Sequence, residues 1–172
     1  MTEPDSTLSP HLRAFLDLIA WSEGTSLMPG SDNGYDVLVG STIAKPSLFQ
    51  GYADHPRIKV DIARLHIYST AAGRYQIMEK TWDEIVSELR LSGFYPLCQD
   101  HACIYLVKRR KVNGVSALDL IEQGHIDKAI YACDQEWASF PGEPYGQGAQ
   151  RMPRLLAHYQ TFLKGYLAET TA

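Results

Sequence analysis

The chain has 172 residues, 45% of them apolar, and a formal net charge of −4. This length suits one compact domain or two lobes sharing a core, and the acidic balance sets the chain apart from non-specific nucleic-acid binders. No apolar run approaches the ~18 residues of a membrane span, and the opening MTEPDSTLSPHLR lacks the basic-then-apolar pattern of a secretory signal, so the expectation is a soluble protein made in the cytosol.

Residues 1–9 read as a flexible lead-in to a single domain covering 1–172. Ser9 followed by Pro10 marks a helix start, a hydroxyl cap and then proline at the first helical position. Leu12, Phe15, Leu16, Ile19 and Ala20 recur at three-and-four spacing and give this helix its buried face, with Gly24 as its stop. The run Ser26–Asn33 reads as loop. Tyr35–Gly40 (YDVLVG), Lys59–Ile62 and Leu65–Ser69 carry β-branched and aromatic residues and read as short strands or a hairpin.

Helix resumes at Thr81, where TWDE has the capping-box pattern; Trp82, Ile85, Val86 and Leu89 form its stripe and Gly93 its end. Another helix follows Pro96. A short one runs from Ser116 to Gly124, and Ile126, Ala129, Ile130, Cys133 and Trp137 give a further one. The loop PGEPYGQG, residues 141–148, precedes a last helix with Leu155, Leu156, Tyr159, Phe162, Leu163 and Tyr166 inside and Pro153 either in its first turn or kinking it. The sum is an α+β domain, mainly helical, a layout that leaves a cleft between a small sheet lobe and a helical lobe. Cys98, Cys103 and Cys133 are odd in number and lack CxxC spacing, which indicates reduced thiols. The basic run Lys108–Lys111 reads as a solvated helix end.

The stretch LIAWSEGT holds the residue with the clearest chemical meaning. Glu23 lies four residues after Ile19 and seven after Leu16, on or beside the buried face of the first helix. Burial and the negative end of the helix dipole both favour the protonated carboxyl. A carboxylic acid that keeps its proton near neutrality suits general-acid catalysis. The bland alternative is a glutamate turned to solvent or paired with Arg74. Around it, Trp21, Tyr35, Tyr75 and Tyr145 offer flat faces for pyranose rings, and Ser22, Asp36, Gln76 and Gln147 offer partners for sugar hydroxyls. His11, His55, His66, His101, His125 and His158 show no HExxH spacing, and no nucleophile elbow is present.

The ordered runs AFLDLIAWSEGT, GYDVLVG, YADHPR, STAAGRYQI, a tryptophan helix and EWASFPGEPYGQ together resemble the lambda-type phage endolysins, over roughly residues 13–165. The resemblance implies a lysozyme-like fold with a substrate cleft and lytic transglycosylase activity on peptidoglycan. The bond cut is the β-1,4 link between N-acetylmuramic acid and N-acetylglucosamine, and the product is a 1,6-anhydro sugar. It makes Glu23 the catalytic acid. It implies wall access through a holin-made lesion, from the host cytoplasm to the periplasm, by a monomer that does not insert in the membrane or bind nucleic acid. Two departures from the pattern are Asn33, where a histidine commonly precedes GYD, and a longer 41–51 segment, STIAKPSLFQG, expected to alter the rim of the cleft.

Glycosidases usually employ two carboxylates, but a transglycosylase works with one. On this reading Glu23 is expected to protonate the glycosidic oxygen and then to accept the proton of the muramic acid's own 6-hydroxyl as it attacks C1, with no metal or organic cofactor required. Asp36 receives a binding or positioning role. Two alternatives are carried forward: a muramidase in which Asp36 activates water, and an inactive glycan-binding protein. A zinc amidase ranks below both.

Overall fold

The computed structural model describes residues 4–63, 67–142 and 150–170. The elements in chain order are α1 Pro10–Ser22, a 3-10 turn Thr25–Leu27, β1 Val60–Ile62, β2 Ile67–Ser69, α2 Glu79–Leu89, α3 Pro96–Arg109, β3 Lys111–Val112, β4 Val115–Ser116, α4 Ala117–Glu122, α5 Ile126–Ala132 and α6 Met152–Thr170. Among the described residues this gives six helices beside two small antiparallel hairpins, β1–β2 and β3–β4, an α+β fold that is mainly helical. The chain forms two compact units, one from Glu23–Ala102 and one from Pro4–Ser22 with the chain from Cys103 onward.

In the second of these units α1 is the central helix. Ser9 caps it: the hydroxyl accepts the Leu12 amide at 3.1 Å and donates to Glu122 at 2.6 Å. Ahead of it, in the expected lead-in, the Asp5 carboxylate takes the amide and hydroxyl of Thr7 and closes a turn. Burial extends round nearly the whole helix, with Ala14, Leu18 and Trp21 inside as well as the expected stripe. Each large apolar side chain so buried contributes roughly 1.5–3 kcal/mol.

Helix α6 lies along α1. It buries Leu155, Tyr159, Leu163 and Tyr166, while Leu156 and Phe162 are only partly covered. Polar contacts tie the two helices together. Arg13 pairs with Glu169 at 3.0 Å and lies 3.9 Å over the Tyr166 ring, whose hydroxyl donates to Asp17. Ser116 caps α4 by accepting the Asp119 amide. α5 ends at Ala132, earlier than the periodicity indicates, and Trp137 is buried from a turn instead.

All three cysteines are thiols, none in a disulfide. Cys103 and Cys133 are buried, and burial pushes the Cys133 thiol up to about 12. The basic run is a partly neutralised surface: Arg109 and Arg110 both reach Glu136 Oε1 at 2.7 Å.

In the unit Glu23–Ala102 the expected strand at YDVLVG shrinks to single bridges, Val37 with Leu48 and Leu38 with Ala72. Gly34 and Gly40 bracket the run in left-handed backbone, at φ 90 and 78, and leave too few extended residues for a ladder. From Leu38 the chain makes an excursion and returns at Ser47, whose carbonyl accepts the Leu38 amide at 2.9 Å. Its tip, Thr42–Lys45, is closed by its own pair of backbone bonds. The hairpin β1–β2 pairs Val60 with Ser69 and Ile62 with Ile67.

Helix α2 begins at Glu79, not at Thr81, so the TWDE capping box goes unused. The hydroxyl of Thr70 accepts the Glu79 amide at 3.2 Å and supplies the missing cap from outside the helix. Arg90, in left-handed backbone at φ 53, ends the helix by donating its amide to Val86. Gly93 has a different purpose: a Cβ there would lie 2.8 and 2.9 Å from the carbonyls of Ala53 and Tyr52. The DHPR segment docks on α2. Arg57 pairs with Asp54, Glu79 and Asp83, Trp82 donates to Asp54, and His55 is buried with its Nε2 2.9 Å from the Ile77 carbonyl.

Candidate active site

Helix α1 stops at Ser22, and Gly24, at φ 75, turns the chain into the 3-10 turn at Thr25. Glu23 stands between them, half-buried, one residue past the last helical position. The segment that follows is locked. Thr25 is 2% exposed and its hydroxyl donates to the Arg74 carbonyl at 2.6 Å. Opposite, a Cβ on Gly34 would lie 3.0 Å from the Thr25 backbone, so only glycine allows this approach.

Arg74 holds the assembly together. It is 1% exposed, its guanidinium donates to the Asn33 carbonyl, and its amide donates to Gln99 Oε1 at 2.9 Å. The Gln99 amide nitrogen in turn donates to the carbonyls of Tyr35 and Phe94, both at 2.9 Å. Gly73 makes room for this: a Cβ there would sit 2.2 Å from Gln99 Oε1. The turn after Glu23, the 33–36 turn, the 73–77 turn and the start of α3 are thereby one hydrogen-bonded body. Asn33, at the position where the family pattern commonly has histidine, adopts φ 49. Asparagine and histidine are both among the types that tolerate left-handed backbone.

The expected sugar-stacking role of Tyr35 and Tyr75 does not survive. They are 0% and 1% exposed, stand edge to face at 6.3 Å, and both donate to Asp100 Oδ1, at 2.8 and 2.6 Å. Neither ring has an open face for a pyranose. Burial, with the Asp100 carboxylate beside it, raises the Tyr35 hydroxyl above its ordinary value, so it serves as a donor. Gln76 is half-buried at φ 50, its amide nitrogen bonded to the Gly73 and Val37 carbonyls at 2.9 and 3.3 Å.

Asp36 is half-buried and accepts the Asp32 amide at 3.0 Å. In the other unit Ser22 is buried, bonded to the Ile19 carbonyl and to Ser139, each at 2.9 Å. Tyr145 and Gln147 lie outside the described residues. The sequence reading missed Thr25, Gln99 and Asp100 and considered Arg74 only as a partner for Glu23. Arg74 lies in the STAAGRYQI run and Thr25 directly follows WSEG, but neither run says what a buried arginine or threonine grips, and Gln99 and Asp100 stand in no quoted motif.

Desolvation holds the Asp36 carboxyl above its ordinary value, with the Asp32 charge adding to it and backbone donors opposing. A raised folded value means that the folded protein keeps the proton longer than the unfolded chain. Stability therefore falls as pH rises from about 4, the unfolded carboxylate value, to the Asp36 value, and is level above it. Asp36→Asn keeps an acceptor for the Asp32 amide and removes the titration. Urea midpoints taken from about pH 3.5 to 7 are expected to show the variant gaining on the parent across that window; parallel curves would mean Asp36 ionises as it does when unfolded.

The sequence profile of the Endolysin family matches residues 13–165. The chain belongs to the Endolysin family. This endolysin is similar to the endolysin of Escherichia phage lambda, at 39% identity over 150 residues covering 86% of this chain and 88% of that protein. It is similar also to the endolysin of Escherichia phage P2, at 40% over 156 residues covering 88% and 92%. In structure it matches bacteriophage lambda lysozyme complexed with a chitohexasaccharide, with a TM-score of 0.80, 37% identity and coverage of 94% and 97%. A second structure of lysozyme from bacteriophage lambda gives 0.73 at 33% identity, covering 98% and 96%. The endolysin has the lambda lysozyme fold and is a cell wall-degrading enzyme. No helix among its described residues is long and apolar enough to cross a membrane.

Proposed function

We propose that the chain is a peptidoglycan lytic transglycosylase with Glu23 as its acid and then its base. The observation that carries this reading is the locked turn: Gly24 in left-handed backbone and Thr25 bonded to Arg74 fix the chain directly after the WSEG glutamate. Glu23 donates its proton to the glycosidic oxygen between N-acetylmuramic acid and N-acetylglucosamine as the C1–O bond breaks. The carboxylate then takes the proton of the 6-hydroxyl, whose oxygen closes on C1. That nucleophile belongs to the substrate, so its effective concentration is high and no second carboxylate, metal or organic cofactor is needed. The likeness to a lysozyme solved with a chitohexasaccharide supports a glycan strand as ligand.

Asp36 and Gln76 have half-exposed side chains and are the proposed hydroxyl partners, with Tyr145 and Gln147 of the 141–148 loop as further sugar contacts. The enzyme acts as a monomer in the periplasm after release from the host cytoplasm through a holin-made lesion.

Products decide between this reading and a muramidase that employs Asp36 to activate water. Peptidoglycan digested in heavy-oxygen water is expected to yield 1,6-anhydro ends, unlabelled and resistant to borohydride. Labelled, reducible muramic acid as the main product would establish hydrolysis and leave Glu23 as the acid. Binding with no released fragments would reduce the protein to a glycan binder.

A further inference from the structure

We infer that His158 is a positioning residue for Glu23, acting through Trp21. Arg154 and His158 stand one turn apart on the same face of α6. The His158 ring lies flat on the Trp21 indole, with centroids 3.7 Å apart and planes 25° from parallel, and the Arg154 guanidinium is 5.1 Å from the same indole. Trp21 is 9% exposed and sits in the last turn of α1, two residues before Glu23. Ser22 comes next. Its single proton goes to the Ile19 carbonyl, so Ser139 is the donor in the 2.9 Å contact between the two hydroxyls.

The end of a helix is where its hydrogen bonding runs out, and such turns fray. The last turn of α1 has no basic residue to steady its carbonyls. Among the described residues His158, Arg154 and Ser139 grip it, all from the last third of the chain. Beyond Glu23, Thr25 is gripped in its own unit. The aromatic stack therefore holds one end of the run that carries Glu23, the end formed by the last turn of α1. Proton delivery is sensitive to displacements of about 1 Å, which cost on the order of a hundredfold in rate, so loosening one end should show in turnover. Binding of the glycan should not change, because the Trp21 indole, expected from the sequence to offer a sugar face, is 9% exposed and covered by the His158 ring. His158 touches no reacting atom in this scheme.

The proposal rests on Glu23 being the acid. Its test compares His158→Ala, which removes the flat ring, with His158→Phe, which keeps one, in kcat and KM on soluble peptidoglycan fragments normalised to folded protein. The expected result is a kcat roughly tenfold below the parent for His158→Ala with KM within about twofold. His158→Phe is expected to recover kcat to within about threefold of the parent. A purely structural role predicts a lower melting temperature with kcat per folded molecule unchanged, and that outcome overturns the proposal. So does a loss in KM alone, or a phenylalanine variant no better than alanine. If His158→Ala does not fold, His158→Leu takes its place under the same criteria. A parent-like rate for Glu23→Gln would defeat the assignment of the acid itself; an inactive Glu23→Gln beside a parent-like His158→Ala defeats the positioning alone.

Discussion

Glu23→Gln is expected to leave a folded protein with at most about a hundredth of the parent's lytic rate. The amide matches the carboxyl in size and fills the same half-buried turn, but it can neither give a proton to the glycosidic oxygen nor take one from the 6-hydroxyl. The neighbouring restraints are untouched, since Thr25 binds the Arg74 carbonyl and Gly24 sets the turn whatever side chain stands at 23. The urea midpoint and circular dichroism spectrum should therefore remain at parent values. Glu23→Asp, which retracts the carboxyl by one methylene, should fall between the two, because the acid survives and its reach does not. Clearing of a purified peptidoglycan suspension measures all three. A glutamine variant within a few-fold of the parent would remove Glu23 from the mechanism.

The largest effect on stability is expected from Asp100→Ala. Asp100 is 1% exposed and one of its oxygens accepts the hydroxyls of both Tyr35 and Tyr75. Alanine leaves two buried donors facing a small void, at about 1–3 kcal/mol for each stranded group, so a total of about 3–4 kcal/mol is reasonable. Asp100→Asn keeps an acceptor oxygen and should cost about 1 kcal/mol. Tyr35→Phe removes only one donor and should fall near the asparagine variant. Urea denaturation of the three variants gives the comparison directly. An alanine variant within 1 kcal/mol of the parent would show that the tyrosines find another acceptor.

Much of the helical framework could be read from residue order, because caps and periodicity are local. Ser9 caps the helix it was expected to cap, Ser116 caps the short helix expected to start there, and Pro153 sits in the first turn of α6. The errors arose wherever a distant residue did a local residue's work. Thr70 caps α2 from outside, so Thr81 is interior to the helix, and Arg90 ends it before Gly93 can. The same holds for the candidate site. The WSEG glutamate stands out as a carboxyl at an awkward helix end. Tyr35 and Tyr75 looked like sugar platforms because composition reports an aromatic ring but not which way it faces. Only the fold shows Asp100 beneath them and Arg74 beside them.

The excursion between Leu38 and Ser47 bears on how such a protein can be altered. Its Thr42–Lys45 tip is closed by its own backbone bonds, and Ile43 is 64% exposed. Loop tips of this kind accept insertions because the chain's commitments are met before the tip is reached. The bonds that hold the excursion to its unit, from Val39 to Ala71, from Phe49 to Asp36 and from the Ser41 hydroxyl to Met28 Sδ, all lie outside this tip. The tip is thus a natural graft point: a wall-anchoring peptide or a fluorophore attached between Ala44 and Lys45 would ride on the enzyme without entering the network that carries Thr25, Arg74 and Asp100.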